Sequence, residues 1–367
     1  MTIGRCGETI VLELIIFACM NKLCFKVLSS VLVMLTCQGV VSDRVMAQEP
    51  DPNFFIFLGI GQSNMQGKAS IQSKDKNSKD FTDDDWARYL KLIIVDNDAS
   101  KIGTWDIAKP PIVRPDTKLG VTDYFGRYLV KGLDERYKVG VAVVAVDGCS
   151  NRAFSKDSLV CDAYLKEAAS SNSTWVTEAA AKYGNYPYGT LVRMARIAQK
   201  SGVIKGIIYH QGETDAAQDG DAWLARVYEI YTNLLNDLGL NMDSVPFIAG
   251  EPVQRDMNGV CYEAIPWVDK IPAYFKQKSG KDIAYVASSK GLTNMDQYHF
   301  SSDGYRKLGQ RYGEIMLPLL IEQGAVPSTV ISVQEVKEDV IYDLLGRRLD
   351  APQKGINIIN GKKVIIR

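Results

Sequence analysis

The chain has 367 residues, 46% hydrophobic and 23% charged, which is enough apolar material for one large α/β domain with a substantial core or for two small ones. Lys and Arg together number 43, as do Asp and Glu, so the formal net charge is zero and gives no electrostatic reason to propose nucleic acid or an anionic membrane as partner. Histidine is scarce, with only His210 and His299 present, so any chemistry that needs an imidazole base has few candidates.

The N-terminal stretch reads as an export signal. Met20-Asn21-Lys22-Leu23-Cys24-Phe25-Lys26 is a basic n-region, residues 27–35 form a short apolar h-region, and Val45-Met46-Ala47 precedes Gln48 as a small-residue cleavage site. Residues 1–47 are therefore expected to be an export segment, with Met20 as an alternative start. The product would be secreted or at the cell surface after passing through the periplasm. The apolar run is too short for a membrane span. Cys37 after Met34-Leu35-Thr36 resembles a lipoprotein attachment site only faintly, because Thr36 is a poor residue there. Of the seven cysteines, Cys149, Cys161 and Cys261 would remain after processing. At most one disulfide then forms, and Cys149–Cys161, which closes the shortest loop, is the favoured pair. No Cys/His spacing resembles a metal site.

Phe54-Phe55-Ile56-Phe57-Leu58-Gly59-Ile60 is a continuous apolar run ended by Gly61, the pattern of a strand buried on both faces of a parallel sheet. Comparable runs at 90–96, 139–147, 203–210, 245–250 and 283–287 predict further strands. Helix-prone stretches at 123–136, 188–200, 219–238, 268–277 and 303–323 separate and follow them. This alternation predicts a three-layer, doubly wound α/β fold, with a mainly parallel sheet and helices on both faces. In such sheets reactive groups gather at the carboxyl ends of the strands. Gly61-Gln62-Ser63 follows the first predicted strand, Asp147-Gly148-Cys149 the third, and Tyr209-His210-Gln211-Gly212-Glu213 the fourth.

Residues 48–323 make up the predicted domain, 324–339 a linker, and 340–367 a short C-terminal module. One reading of the module is a β-hairpin turning at Asn360-Gly361. The favoured reading is that Tyr342-Asp343-Leu344-Leu345-Gly346-Arg347-Arg348 and Lys354-Gly355-Ile356, with Asn360-Gly361-Lys362-Lys363-Val364, resemble the sorting tail of the Bacteroidetes type IX secretion route. That resemblance implies secretion machinery as partner of the tail and says nothing about the reaction.

A serine hydroxyl is a weak nucleophile until a base takes its proton; the base needs an orienting group, and the developing oxyanion needs fixed donors. Ser63 stands directly after a buried strand in a Gly-rich turn that leads toward a helix, where backbone amides favour negative charge. Taken alone, a serine there reads as an N-cap. Asp296-Gln297-Tyr298-His299 supplies a carboxylate and an imidazole three residues apart, just before the last predicted helix, within a run continuing Phe300-Ser301-Ser302-Asp303-Gly304-Tyr305. That spacing lets the carboxylate hold one ring nitrogen while the other faces the serine. Gln211 carries an amide donor suited to an oxyanion hole, and Gly148 can present a bare backbone N–H. Glu213 is a second candidate carboxylate, although Glu213 and Asp215 read more simply as fixing a loop or capping a helix. His210, at the end of a buried strand, reads as a hydrogen-bonded structural histidine. Trp105, Trp175, Trp223 and Trp267 are candidates for stacking on sugar rings, with core packing the favoured role of each.

Taken together, Gly61-Gln62-Ser63-Asn64-Met65-Gln66-Gly67, His210-Gln211-Gly212-Glu213-Thr214-Asp215 and Asp296-x-x-His299 resemble the SGNH hydrolase superfamily over about residues 53 to 322. The likeness is strongest to its branch of sialate O-acetylesterases and family-six acetyl xylan esterases. The resemblance implies Ser63 as nucleophile, His299 as general base and Asp296 as its orienting acid. It further implies an oxyanion hole from the Ser63 and Gly148 amides and the Gln211 side chain, with Gln62, Asn64, Glu213 and His210 in support. Asp147 stands where that branch often has a second Gly, and Glu213 is a reserve acid. The implied activity is removal of acetyl groups from oligo- or polysaccharide without metal or organic cofactor. Two alternatives stay open: an esterase or lipase for other acyl chains, and a non-catalytic carbohydrate-binding protein on the same fold.

Overall fold

The computed structural model describes residues 49–328 and, beyond them, the backbone of four short strands between 341 and 366. The predicted export segment, Cys37, most of the linker and the tail side chains lie outside the described residues.

Strand β1 (Asp51–Gly61) explains its own apolar run. Successive side chains of a strand point to opposite faces. Phe54, Ile56, Leu58 and Ile60 enter one hydrophobic core, while Phe55 and Phe57 enter a second on the other side of the sheet. The chain continues through the single turn α1 (Ser63–Gln66), short helices α2 (Ser73–Lys76) and α3 (Asp83–Arg88), strands β2 (Tyr89–Leu92) and β3 (Trp105–Ile107), helix α4 (Val121–Gly132) and strand β4 (Lys138–Ala145). Helices α5 (Ser158–Ser170), α6 (Thr174–Ala181) and α7 (Pro187–Ala198) precede β5 (Gly202–His210). Helix α8 (Gly220–Leu238), strand β6 (Phe247–Gly250), helices α9 (Ile265–Val268) and α10 (Ile271–Ser279), strand β7 (Ala284–Ala287) and helix α11 (Ser302–Glu322) complete the fold.

The seven strands lie in the order β3-β2-β4-β1-β5-β6-β7. All neighbours are parallel except β2 and β3, an antiparallel pair at the edge. Residues of α5, α6, α7, α8 and α10 fill one core, and those of α4 and α11 the other, so the expected three-layer α/β architecture is the one observed. β1 is central, flanked by β4 and β5, and its carboxyl end therefore meets the ends of both neighbours. Among the described residues no helix is long and apolar enough to cross a membrane.

Helices α2, α3, α5 and α6 and the edge strand β3 were not expected, whereas pairing of the last two tail strands was one of the two readings of that module. Edge strand β3 is only three residues long. Helices α5 and α6 escape the periodic pattern because apolar residues fall on both of their faces: Cys161, Tyr164 and Leu165 are buried, while Leu159 is 75% and Trp175 53% exposed. In the tail, β8 (Ile341–Tyr342), β9 (Arg348–Leu349), β10 (Gly355–Ile359) and β11 (Lys362–Ile366) form an antiparallel sheet in the order β11-β10-β8-β9. Ile359 pairs with Lys362, and the Asn360-Gly361 turn between them lies outside the described residues.

Candidate active site

The position of Ser63 follows from the end of β1. Gly61 sits in register with Ala145 on one side and His210 on the other. A Cβ on Gly61 would lie 2.1 Å from the His210 carbonyl oxygen and 2.8 Å from Met65 Cβ, so the turn needs glycine there. Gln62 N then donates to His210 O at 3.0 Å, and α1 closes through Gln66 N to Gln62 O and Gly67 N to Ser63 O. As the first residue of that turn, Ser63 has a backbone N–H without an intrahelical acceptor. Its side chain is almost wholly buried, and among the described residues its hydroxyl makes no hydrogen bond.

Asp296 and His299 form a tight loop between Asn294 and Phe300, which bridge each other. Asp296 Oδ2 lies 2.8 Å from His299 Nδ1, and Oδ1 accepts the backbone N–H groups of Tyr298 and His299 at 2.8 and 2.7 Å. Partial burial pushes the Asp296 carboxyl up, but these hydrogen bonds outweigh it and hold the group below its ordinary value. An ionised acceptor at Nδ1 assigns the ring proton to that nitrogen and leaves the Nε2 lone pair outward.

Asn64 joins the two halves. Its Nδ2 donates to Glu213 Oε1 at 2.7 Å and to the Tyr298 carbonyl at 2.9 Å, and its Oδ1 accepts from Tyr305 at 2.8 Å. One amide thus ties the serine turn to the segment that carries His299. Glu213 also faces His210, whose Nε2 lies 3.4 Å from Oε1, an ion-pair separation outside hydrogen-bond geometry. Burial raises the Glu213 carboxyl, yet His210 and Asn64 lower it further, and the net direction is down. Tyr312 gives its hydroxyl proton to the Tyr209 carbonyl at 2.7 Å, so the 3.2 Å contact with His210 Nδ1 is one in which the histidine donates. His210 is fully buried.

Gly148 adopts φ +61°, and its N–H has no acceptor among the described residues. Asp147, beside it, is ion-paired with Lys68. Gln211 is hydrogen-bonded through both ends of its side-chain amide. Its Nε2 donates to the Cys149 carbonyl at 3.1 Å and to Asp215 at 2.6 Å, while its Oε1 accepts from Tyr209 and Trp223 at 2.7 Å each. Both amide hydrogens are committed in this arrangement, and Gln211 is not among the residues that line the cleft. Asp215 also accepts from Ser150 Oγ and Asn151 N. The favoured Cys149–Cys161 disulfide is corrected: Cys149, Cys161 and Cys261 are free. Cys161 Sγ instead points to the Ala153 carbonyl at 3.4 Å, and burial pushes its thiol up to about 11.

Ser63, Gln62, Asp147, Gly148, Glu213 and His299 line one cleft of about 520 Å³. A larger cavity of about 590 Å³ at the β2–β3 edge holds Lys91, Trp105 and Arg114 but neither histidine. The cleft also takes in Thr214, whose hydroxyl reaches Gly148 O (3.1 Å) and Gln62 Oε1 (3.4 Å), together with Trp175, Cys261 and Tyr298. Sequence reasoning missed most of these. Tyr298 had a signal, lying inside the Asp-x-x-His spacing, whereas Cys261 had none. Among the described residues no group of three or more His, Cys, Asp or Glu could hold a metal ion.

A hydroxyl, a carboxylate-held imidazole and two unengaged backbone amides in one cleft can perform acyl transfer. The fold is shared with the X-ray structure of a protein from Arabidopsis thaliana, at 18% identity over 73% of this chain and 99% of that one, with a TM-score of 0.50. NanS aligns at 13% identity over 75% of this chain and 99% of its own, TM-score 0.48. A carbohydrate acetylesterase from Xanthomonas citri aligns at 15% identity over 70% of this chain and 55% of its own, TM-score 0.44. Residues 53–318 match the family described as carbohydrate esterase, sialic acid-specific acetylesterase, and the chain belongs to that family.

Proposed function

We propose that the cleft hydrolyses O-acetyl esters of carbohydrate through an acetyl-serine intermediate, with Ser63 as nucleophile, His299 as general base and Asp296 as its orienting acid. The observation that carries this reading is a single cleft lined by both the unbonded Ser63 hydroxyl and the Asp296-held imidazole. Ser63 Oγ attacks the acetyl carbonyl while His299 Nε2 takes its proton, and Asp296 stabilises the imidazolium. The Ser63 and Gly148 N–H groups receive the oxyanion. Gln62 takes the side-chain place in that hole, because it is a residue of the cleft wall while the Gln211 amide is committed elsewhere. His299 returns the proton to the departing sugar oxygen. Water, deprotonated by the same nitrogen, then releases acetate and restores the serine.

Family membership supports a carbohydrate as the alcohol. The export segment and sorting tail read from the sequence support action outside the cytoplasm. The test is acetate release from a panel of O-acetylated saccharides, alongside a chain-length series of aryl esters. Ser63→Ala is expected to lower kcat on nitrophenyl acetate by roughly 10⁴-fold or more with Tm preserved. Wild-type turnover by that variant would sink the assignment, and activity climbing beyond butyrate would point to a longer acyl group.

A further inference from the structure

Trp175 and Tyr298 are the two exposed aromatic residues among those described, 53% and 49% accessible, and both line the cleft that holds Ser63 and His299. Trp175 rises from α6 against Gly148, where a Cβ would come within 2.6 Å of the indole Nε1. Tyr298 stands on the Asp296–His299 loop, its ring 6.1 Å from the imidazole. Aromatic faces left in water beside a reactive centre suit the apolar C–H faces of a pyranose ring.

The cleft does not end at the catalytic pair. A second cavity of about 440 Å³ shares Gly148, Ser173 and Thr214 with it, so the two adjoin along a common wall. Either volume falls within the roughly 300–1,000 Å³ of a small-molecule site, far more than an acetyl group fills. The second chamber is lined by planar polar groups. Arg152 is held bidentate on Glu167 at 2.9 and 3.0 Å and stacks 4.8 Å over Tyr164. Arg226 is fixed by Asn151 at 2.6 Å. The side-chain amide of Gln218 has no hydrogen-bond partner among the described residues. Groups of this geometry bind vicinal hydroxyls, which donate and accept at once.

The charges narrow the class further. Every cation at these walls is already matched: Arg152 with Glu167, Arg226 with Asp215 at 3.9 Å, and Lys68 behind Asp147. Asp219 in the chamber and Glu213 in the cleft add further carboxylates. A substrate that brings its own carboxylate would find no unmatched cation and would face like charge.

We propose that the protein binds a neutral oligosaccharide across both cavities, stacking the acetylated residue on Trp175 and holding the adjoining sugar in the Arg152–Gln218–Arg226 chamber. This rests on the carbohydrate esterase reading above and adds to it a subsite and a charge preference. The experiment measures acetate release from O-acetylated neutral mono-, di- and tetrasaccharides of the xylo series and from an O-acetylated sialic acid, with nitrophenyl acetate in parallel. For the wild type, kcat/KM is expected to rise about tenfold or more from mono- to disaccharide and to exceed that on the sialic acid by a similar factor. In Gln218→Ala and Arg226→Gln the disaccharide-to-monosaccharide ratio is expected to collapse toward unity, a ratio that partial unfolding does not move. Trp175→Ala is expected to raise KM for both saccharides by about five- to tenfold, and Trp175→Phe to restore most of it. A wild-type ratio near unity, ratios unchanged in the chamber variants, or preference for the sialic acid would overturn the proposal. Cleavage of the aryl ester without release from any saccharide would instead defeat the carbohydrate reading itself, and the subsite with it.

Discussion

Asp296→Asn tests the catalytic geometry most sharply, because it changes one atom and keeps the loop. Asn retains an oxygen to accept the Tyr298 and His299 backbone N–H groups, so the turn is expected to survive. The atom 2.8 Å from His299 Nδ1, however, becomes a donor. Two consequences follow. The ring must then accept at Nδ1 and carry its proton on Nε2, the nitrogen that should take the serine proton. The imidazolium formed on attack also loses a counter-charge at about 4 Å, an interaction of about 4 kcal/mol near a protein surface and about 1 kcal/mol in water. The Asp296 side chain is 42% exposed, so solvent screening brings the electrostatic part nearer about 2 kcal/mol. With the tautomer error added, kcat/KM on nitrophenyl acetate is expected to fall on the order of 10²- to 10⁴-fold, with Tm shifted by only a few degrees. Glu213→Gln is the control, since Glu213 is bonded to Asn64 and faces His210 rather than His299. Activity of Asp296→Asn within about threefold of wild type, or a larger loss in Glu213→Gln, would refute the reasoning and move the acid role to Glu213.

Burial drives the Asp123 carboxyl up to about 7, against the lowering effects of the Gly120 N–H and Arg127. A raised folded-state value means that the carboxyl's contribution is fully present below its unfolded value of about 3.9 and is lost as pH rises through about 7. Asp123→Asn should therefore match wild type near pH 4 and gain about 1–3 kcal/mol above pH 7, read as a Tm difference that widens with pH; a difference that does not grow would contradict it. Gly61→Ala must displace the His210 carbonyl or Met65, so a loss of about 2–4 kcal/mol and of most activity is expected in thermal melts and aryl acetate assays. Because Cys149 and Cys161 are free, a reductant should leave Tm unchanged, and a drop would reveal a disulfide.

Much of the site is legible because its parts sit at the ends of strands that announce themselves. β1 is recognisable from Phe54–Ile60, and β4 and β5 from their valine and isoleucine runs; the doubly wound rule then places Ser63, Gly148 and Gln211 along one edge. What the rule does not carry is side-chain direction. Gln211 lies at that edge yet points into a network with Trp223, Tyr209, Cys149 and Asp215, and no local pattern distinguishes that from pointing at substrate. Cys149 and Cys161 are near in sequence and share one core, yet both thiols are free, because burial in common does not fix the geometry a disulfide needs. Trp175 lies in a helix whose apolar residues face both ways, so its exposure was invisible to periodicity.

The sequence by itself determined the α/β class, the central strand, and the pairing of the only well-spaced acid and imidazole, Asp296 and His299. Those rest on chain-local physics: side-chain period, glycine at a crowded turn and a three-residue reach. Tertiary structure alone decided that Asn64 couples the serine turn to the histidine loop across 234 residues of chain, that the Gln211 amide bonds to Cys149, Asp215, Tyr209 and Trp223, and that Trp175 and Tyr298 frame the cleft. Each of these depends on which surfaces meet when distant segments pack, and that is a property of the folded chain as a whole.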